Sequence, residues 1–233
     1  MASNQPLPKN SIAVIAPHYC TPYQVDLYFA KNVFVAEGNN LGVFDINGNN
    51  IFKVQSTGKR RRILVDAAGV PVVSLQEKRF SAHDRWKVYR GDSSDSKDLL
   101  FDVKRTRFAQ LRTQLDVFLA SNTAQRVCDF KIKQKYRKES GFIYQGDSQK
   151  IIAEMHEKQT VVPGNNVLGK DTFSVTTCPN VDYVFVIALR VVLYEINMVG
   201  EAMGLGADEE GGGGGDGGGD CACGDGGGGG GGC

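Results

Sequence analysis

Closely spaced arginine and lysine residues are the side chains in this sequence with the clearest capacity for chemistry. Four bases follow Gly58 without interruption, and five more lie between positions 78 and 90. Guanidinium and ammonium groups bind phosphate oxygens, and the planar arginine fork does so with two hydrogen bonds. The pattern predicts a binding surface for an anionic ligand, with an ordinary solvated exterior as the alternative. The nine residues are Lys59, Arg60, Arg61, Arg62, Lys78, Arg79, Arg85, Lys87 and Arg90.

The remaining polar residues do not indicate a catalytic or metal centre. His18, His83 and His156 are far apart, and no Cys, Asp or Glu stands near them at the spacing of metal ligands. Residues 45–49 superficially resemble a calcium loop, but the glycine is misplaced and no Glu closes the loop, so a hairpin is favoured. Phosphate-binding and dinucleotide-binding motifs are missing. We therefore predict a protein that is not an enzyme and that uses no cofactor or metal.

The six cysteines fall into two groups. The first three occur singly, as expected of reduced thiols in a reducing compartment. The last three include a C-x-C pair, which lacks the four ligands of a structural zinc site and does not form a prenylation sequence. They are candidates for acylation or for thiophilic metal binding, and a segment in which the thiols have no role is the favoured alternative. The groups are Cys20, Cys128 and Cys178, and Cys221, Cys223 and Cys233.

The formal net charge of +1 combines two segments of opposite sign. From Glu201 onward there are seven acids and no base, a charge of −7. All 27 bases precede Glu201 and face the remaining 19 of the 26 acids, a charge of +8. A basic body favours an anionic partner such as a phospholipid head group, and the acidic segment is a candidate competitor for the same surface. Nucleic acid is the weaker candidate, because this charge is modest and no stacking aromatic motif accompanies the bases.

Composition divides the 233 residues into three parts. Residues 1–11 form a polar N-terminal arm, residues 12–203 have the composition of one domain, and residues 204–233 form an acidic Gly/Cys-rich tail that is predicted to be disordered. The N-terminus lacks the basic and apolar regions of a signal peptide and lacks a glycine at position 2 for myristoylation. We expect an intracellular, cytoplasmic protein, with peripheral membrane and nuclear locations as alternatives.

Apolar and polar residues alternate through the central domain, as expected of half-buried β-strands. Asn47-Gly48 lies between two apolar runs and predicts a hairpin with a type I′ turn. The same order of residue types recurs 21 residues later, at residues 66–69, and Gly146-Asp147 predicts a third hairpin. Pro71 is expected to open its strand or to lie at an edge, because it cannot donate to a ladder. Many short antiparallel strands predict a sandwich or a barrel.

Residues 181–194 are almost continuously apolar and contain no turn residue. This length exceeds that of most strands and favours a helix that is apolar on all sides. A bilayer span needs about 20 apolar residues, and Arg190 and Glu195 interrupt this run, so a buried core helix is favoured over a membrane span. Arg190, Tyr194 and Asn197 share one helix face, which predicts a polar stripe that brings the arginine to the mouth of the core.

Residues at both ends of this segment are typical of helix termini. Pro179 precedes Asn180, which is predicted to cap the N-terminus, and Asp182 is expected in the first turn, where the helix dipole favours an anion. Gly200 or Gly204 is expected to end the helix.

Several motifs together resemble the plant LURP-one-related proteins, and the resemblance covers residues 13–197. The motifs are SLQEK at 74–78, HDRWKVYRG at 83–91, LFDVKR at 100–105, GKDTFSV at 169–175, PNVDY at 179–183 and EIN at 195–197. The resemblance implies a tubby-like fold, in which about twelve antiparallel strands form a closed barrel around a hydrophobic C-terminal helix. Arg190, Tyr194 at a position where Asp is common, and the Gly/Cys tail depart from the family pattern.

The resemblance also directs the functional prediction. The superfamily includes the phospholipid scramblases and the tubby carboxy-terminal domain, which binds membrane phosphoinositides, and the LURP-one-related family is linked to basal defence in plants. We predict a non-enzymatic interaction module that binds anionic phospholipid or phosphoinositide at the periphery of a membrane. The alternatives are a scramblase-like lipid transporter and a membrane-tethered transcription regulator, and protein partners are not indicated.

Overall fold

The computed structural model of this chain describes residues 8, 10–31, 41–78, 85–109, 112–135, 140–156 and 172–202. Twelve β-strands are followed by one α-helix, and short 3-10 turns lie at Pro17–Tyr19 and Ser96–Asp98. The predicted α+β, mainly β, class is confirmed. The elements are β1 Val25–Lys31, β2 Leu41–Phe44, β3 Asn50–Ser56, β4 Arg61–Asp66, β5 Pro71–Glu77, β6 Arg85–Arg90, β7 Leu99–Ala109, β8 Arg112–Leu119, β9 Phe130–Lys135, β10 Gly141–Gln145, β11 Ile151–His156, β12 Thr172–Thr177 and α1 Tyr183–Ala202.

The strands form one closed antiparallel barrel. Each strand from β2 to β11 pairs with the strands before and after it in the chain, and β12 pairs with β11 and with β1. In this closing ladder Val25 lies opposite Thr177 and Ala30 lies opposite Thr172. Closure removes the unpaired strand edges that a sandwich would leave. The barrel around a C-terminal helix is therefore confirmed, and the sandwich alternative is wrong.

Helix α1 lies inside the barrel. Residues 184–193 are at most 1% exposed, so strand residues surround the helix on every side. The Phe185 ring packs against Phe101 of β7 and Phe130 of β9, with centroids 5.1 and 4.8 Å away. The predicted buried core helix is confirmed, and its all-round apolarity follows from this position. In the part of the chain that the structure describes, no helical segment has the length and hydropathy that a bilayer span requires.

The two ends of the barrel can be told apart by α1, which starts at one end and finishes at the other. The helix starts directly after β12, at the end where the β2–β3, β4–β5, β6–β7, β8–β9 and β10–β11 connections lie. We call this the entry end. A helix of 20 residues is about 30 Å long, so α1 traverses the barrel and finishes at the opposite end, where β3 leads into β4 and β5 leads towards β6. We call this the exit end.

Asp182 fixes the start of α1. Its Oδ1 accepts the backbone N–H of Phe185 at 3.0 Å, which is an N-cap bond. Its Oδ2 accepts the N–H groups of residues 14–16 at 3.2, 2.7 and 3.1 Å, and so ties the segment before β1 to the helix. Asp182 is therefore the N-cap, and the prediction that Asn180 caps the helix is wrong. Gly200 lies within α1 and does not end it.

The β2–β3 and β4–β5 hairpins use the same turn. The carbonyl groups of Asp45 and Asp66 accept the N–H groups of Gly48 and Gly69, both at 3.0 Å. Each aspartate Oδ1 also accepts the N–H groups two and four residues later, at 2.8–2.9 Å. Positive φ occurs only at the glycines, 82° and 84°, whereas a type I′ turn needs two such residues. The hairpins and their repetition are confirmed, and the type I′ prediction is wrong.

Two further predictions about the strands are confirmed. The third hairpin joins β10 to β11, where the Gln145 N–H donates to the Lys150 carbonyl at 3.0 Å and Gly146 has a φ of 59°. Pro71 is the first residue of β5. At this position proline leaves the later hydrogen bonds of the ladder undisturbed.

Arg190 is buried in the core, so it does not reach the barrel mouth as predicted. Its side chain is 1% exposed, and the guanidinium carbon lies 3.7 Å from the centre of the Phe173 ring on β12. Tyr194 stacks against the same phenylalanine, with ring centroids 5.9 Å apart. Contact with an aromatic face stabilises a cation where water is excluded. Asn197 alone follows the prediction towards the exit end, and its Nδ2 donates to Gln134 at 3.0 Å.

Candidate functional site

A chain of three polar side chains on the outer wall has the composition of a catalytic triad. The Thr176 hydroxyl donates to Asp26 Oδ1 at 2.7 Å, and His156 Nε2 lies 2.9 Å from the same hydroxyl oxygen. Because the hydroxyl proton points to Asp26, His156 Nε2 has to donate to Thr176. A histidine that donates here does not accept the hydroxyl proton as a base. This geometry supports cross-strand pairing of β11, β12 and β1.

The calcium-like segment is a hairpin turn, as favoured from the sequence. The Asp45 carboxylate is occupied by the two N–H groups already described and by Asn49 Nδ2 at 2.8 Å. Burial raises the pKa of Asp45, but the hydrogen bonds from Asn49 and Asn47 outweigh it and hold the pKa below its ordinary value. Within the described ranges, no three His, Cys, Asp or Glu side chains are grouped closely enough to hold a metal ion.

Three of the predicted bases form an exposed group at the exit end. Lys59 and Arg60 lie in the β3–β4 connection, and Lys78 directly follows β5. The two segments adjoin, because the Glu77 N–H donates to the Arg60 carbonyl at 3.0 Å. Arg60 also lies 3.6 Å from the Glu77 carboxylate, with half of its side chain exposed. We call Lys59, Arg60 and Lys78 the Lys59 surface.

The two neighbouring arginines are engaged in intramolecular ion pairs. Arg61 pairs with Asp92 across the outer wall. Arg62 points inward, where Nε and Nη2 donate to the two carboxylate oxygens of Glu195 on α1 at 2.8 and 2.7 Å. Its Nη1 also donates to the Gly58 carbonyl at 2.9 Å. Arg62 therefore has a structural position inside the barrel and is not part of an exposed surface.

Arg85 and Lys87 share the outer wall, as strand alternation predicts, but both face a carboxylate. Asp102 Oδ2 accepts Arg85 Nη2 at 2.7 Å and Gln125 Nε2 at 3.0 Å, and its Oδ1 lies 3.9 Å from Lys87 Nζ. Gln125 also accepts a hydrogen bond from Lys104. Burial and the nearby Arg85 lower the pKa of Lys104. This network neutralises part of the positive charge that the sequence suggested for the wall.

One further predicted base is among the described residues, and it lies apart from the Lys59 surface. Arg90 lies at the entry end, where its Nη1 donates to the Ile15 carbonyl at 2.8 Å. The remaining ones fall outside the described residues, and their assignment stays a prediction. They are Arg79, Cys221, Cys223 and Cys233.

Two basic residues that are not among the nine predicted bases lie against aromatic rings on the outer wall. Lys104 Nζ lies 4.8 Å from the Phe118 ring centre, and Lys133 Nζ lies 4.9 Å from that of Tyr144. The strand alternation at Lys131 and Lys133 was a usable signal for outward lysines. Their aromatic partners come from the next strand, so only the strand register places them together.

Charge is distributed unequally between the barrel ends. The entry end carries Asp26, Asp45, Asp66, Asp95, Asp98, Asp129 and Asp147 against Arg90, Lys97, Arg126, Lys131 and Lys150. Asp92 follows β6 at this end, but it reaches back along the outer wall to Arg61. Strand ends and connections at the exit end carry Lys59, Arg60, Arg61, Arg62, Lys78, Arg85 and Lys133 against Glu77, Glu154 and Glu195. The described part of the chain is thus more basic at its exit end.

Comparisons with known proteins agree with the motifs and the barrel. A family model described as LURP-one-related matches residues 25–194. Protein LURP-one-related 15 of Arabidopsis thaliana is 43% identical over 198 residues, which cover 84% of this chain and 90% of that protein. Protein LURP-one-related 10 of the same plant is 40% identical over 190 residues, which cover 80% of this chain and 97% of that protein. An Arabidopsis thaliana protein solved by X-ray crystallography is 38% identical, with a TM-score of 0.62 and coverage of 79% of this chain and 98% of its own. The chain therefore belongs to the LURP-one-related family.

Proposed function

We propose that this protein is a non-enzymatic interaction module that binds an anionic phospholipid surface through the exit end of its barrel. One observation carries the proposal: Lys59, Arg60 and Lys78 are exposed together at the end that lies opposite most of the loop aspartates. A membrane presents many phosphates in one plane, so bases grouped at one end of a barrel can meet it simultaneously.

The geometry supports an exchange of partners at this surface. Arg60 is half exposed beside Glu77, and an exposed ion pair of this kind is worth at most about 1 kcal/mol. A lipid phosphate can replace the carboxylate at little cost. Arg62 differs, because its carboxylate partner is buried with it. The exposed bases are therefore the ligand-binding candidates that we retain, and Arg62 is not one of them.

The separation of charge also favours one orientation on a membrane. Strands of six or seven residues are about 20 Å long, which is more than twice the Debye length of about 8 Å at physiological salt. The aspartates of the entry end are therefore screened from a surface that contacts the exit end. Binding through the exit end avoids their repulsion.

Vesicle sedimentation of the full chain tests the proposal. The test variant is Lys59→Ser, Arg60→Ser and Lys78→Ser, and the vesicles are either neutral or contain about a third phosphatidylserine. Each base near an anionic surface contributes about 1 kcal/mol, so the variant should lose about 3 kcal/mol of binding free energy and partition on the order of a hundredfold less strongly. Wild type should prefer the anionic vesicles, and added salt should weaken its binding.

A second triple variant supplies the matched control. Lys97→Ser, Arg126→Ser and Lys150→Ser removes the same charge from exposed positions at the entry end. This variant should bind like wild type. Equal losses in both triple variants, or equal binding of wild type to neutral and anionic vesicles, would overturn the proposed site.

A further inference from the structure

Helix α1 delivers the C-terminal part of the chain to the basic end of the barrel. Glu195 marks the barrel rim, because it pairs with Arg62 at the first turn of β4. The helix continues for seven residues beyond this pair, to Ala202, a distance of about 10 Å at 1.5 Å per residue. Residues 203–233 are therefore tethered at the exit end, close to the Lys59 surface.

These residues carry negative charge, which is complementary to the positive charge of the Lys59 surface. They contain six acids and neither lysine nor arginine. More than half of them are glycine, which adds no side chain that would obstruct contact between a carboxylate and a neighbouring base. The acids are Asp208, Glu209, Glu210, Asp216, Asp220 and Asp225.

We infer that residues 203–233 bind back to the Lys59 surface of the same molecule. The occupant is thus an acidic, glycine-rich segment of this chain, and its carboxylates pair with Lys59, Arg60 and Lys78. The tether holds the segment at an effective concentration in the millimolar range, so weak ion pairs suffice for substantial occupancy.

The distances along the chain favour the exit end over the entry end. A glycine-rich chain of n residues spans about 5–6 Å multiplied by the square root of n. The first three acids begin six residues after Ala202, so they lie within about 12–17 Å of the helix terminus. The entry end is about 30 Å away along α1. The acids nearest to the tether therefore reach the Lys59 surface but not Lys97 or Lys150.

The same contact would regulate the proposed function. Lipid phosphates and segment carboxylates need the same three bases, so the segment competes with an anionic membrane. This competition rests on the proposed function, whereas the intramolecular contact does not. The contact consists of exposed ion pairs, which salt screens, and a membrane that presents many phosphates at once displaces it.

Lysine acetylation of the full-length protein, followed by peptide mass spectrometry, tests the contact without a membrane. Wild type is compared with a variant in which the six acids become amides: Asp208→Asn, Glu209→Gln, Glu210→Gln, Asp216→Asn, Asp220→Asn and Asp225→Asn. At about 0.01 M salt, where the Debye length is about 30 Å, Lys59 and Lys78 should be acetylated about threefold faster in the variant. At about 1 M salt, where the Debye length is about 3 Å, the difference between the two proteins should disappear.

Lys97 and Lys150 are the internal controls, because both are exposed at the entry end. Their acetylation rates should be the same in both proteins. Equal rates for Lys59 and Lys78 in the two proteins would overturn the inference. So would an equal acceleration of all four lysines, because that result would show a general effect of net charge and not a contact at one end.

Vesicle sedimentation of the same two proteins separates this inference from the proposed function. The amide variant should bind vesicles containing phosphatidylserine about threefold more strongly than wild type. If neither protein binds these vesicles, the proposed function fails while the acetylation result still decides the contact. If both bind equally although Lys59 and Lys78 differ in acetylation, the contact stands and the competition is overturned.

Discussion

Arg62 and Glu195 join strand β4 to helix α1 through a two-pronged ion pair. The Nε–Oε1 and Nη2–Oε2 distances are 2.8 and 2.7 Å, and the two side chains are only 8% and 12% exposed. This pair holds the exit end of the helix, while Asp182 holds the entry end. The position of α1 in the barrel is therefore fixed at both ends by carboxylates that bind groups distant in sequence.

Removal of one partner of the Arg62–Glu195 pair should strongly destabilise the fold. Arg62→Met leaves the Glu195 carboxylate buried without its cation, which costs about 3–5 kcal/mol. The double variant Arg62→Met/Glu195→Leu should recover much of this loss, because neither charge remains. Urea unfolding of the two single variants and the double variant measures the coupling between the residues.

The adjacent Arg60 provides the control for this prediction. Its pair with Glu77 is half exposed, so Arg60→Met should change the free energy of unfolding by less than about 1 kcal/mol. A loss in Arg62→Met no larger than that in Arg60→Met would contradict the structural role of the buried pair.

Asp182→Ala should lower the free energy of unfolding by at least about 3 kcal/mol. The substitution removes an N-cap bond, worth about 1 kcal/mol, and leaves three N–H groups of residues 14–16 without their acceptor. Asp182→Asn keeps one acceptor oxygen and should lose less. Urea unfolding gives the stability, and amide hydrogen exchange should accelerate at residues 14–16 in the alanine variant. Unchanged exchange there would show that the carboxylate does not hold this segment.

Two glycine substitutions should differ in cost for a reason that only the structure reveals. Gly69 has a φ of 84° and open space around it, so Gly69→Ala should cost about 1 kcal/mol of backbone strain. At Gly141 an added Cβ would collide with the Lys133 carbonyl and lie 2.9 Å from the Gln134 Cα. Because the obstacle is backbone of the paired strand, Gly141→Ala should cost about 3 kcal/mol or more. Thermal unfolding of both variants measures the two losses of stability. Equal losses in Gly69→Ala and Gly141→Ala would contradict the close packing at Gly141.

Stability should fall at alkaline pH. Burial, with Asp182 nearby, raises the pKa of Cys20 from 9.0 to about 11, and burial, with Tyr19 nearby, raises the pKa of Tyr183 from 10.0 to about 12. The folded chain retains both protons where the unfolded chain has lost them, so their contribution is full below about pH 9 and is lost as the pH rises towards 12. Urea midpoints between pH 7 and 10.5 measure the decline. The variant Cys20→Ala/Tyr183→Phe should show a shallower decline, and an identical slope would refute this assignment.

Cys20 should react slowly with alkylating reagents in the native protein. Its thiol donates to the Ile12 carbonyl, with 3.4 Å between sulfur and oxygen. With a pKa of about 11 in place of 9.0, the thiolate fraction at pH 8 is about a hundredfold lower than in the unfolded chain. Iodoacetamide labelling with mass spectrometry, in buffer and in 6 M guanidinium chloride, compares the two states. A native rate equal to the unfolded rate would be inconsistent with this environment.

The predictions from sequence succeeded where the signal was local. Residues 181–194 were recognised as a buried helix because no polar face interrupts them, and the repeated hairpins were recognised because Asp and Gly recur at matching positions. Local signals did not predict which residue caps the helix. Asn180 resembled an N-cap, yet Asp182 takes this role, since its carboxylate also meets residues 14–16 from a segment about 170 positions away.

The candidate surface was only partly predictable. Lys59, Arg60, Arg61 and Arg62 form one uninterrupted run in the sequence, but the last two are engaged in ion pairs in the structure. Arg190 shows the same limitation, because its contact with Phe173 depends on how the helix is rotated inside the barrel. A charged residue's burial and partner are decided by contacts between distant parts of the chain, which residue type and spacing do not specify.

The sequence by itself determined the elements of this protein, because strand alternation, turn residues and an all-apolar helix depend on short-range periodicity. It also determined the overall charge and its division between the body and the C-terminal segment. The tertiary structure alone decided which bases share a surface. Barrel closure sets which alternate residues of each strand face inward, so Arg61 and Arg62, adjacent in the chain, find partners on opposite sides of the wall. The same closure places the end of α1 beside the exposed bases, because a helix that fills the barrel can leave it only at the end opposite its start.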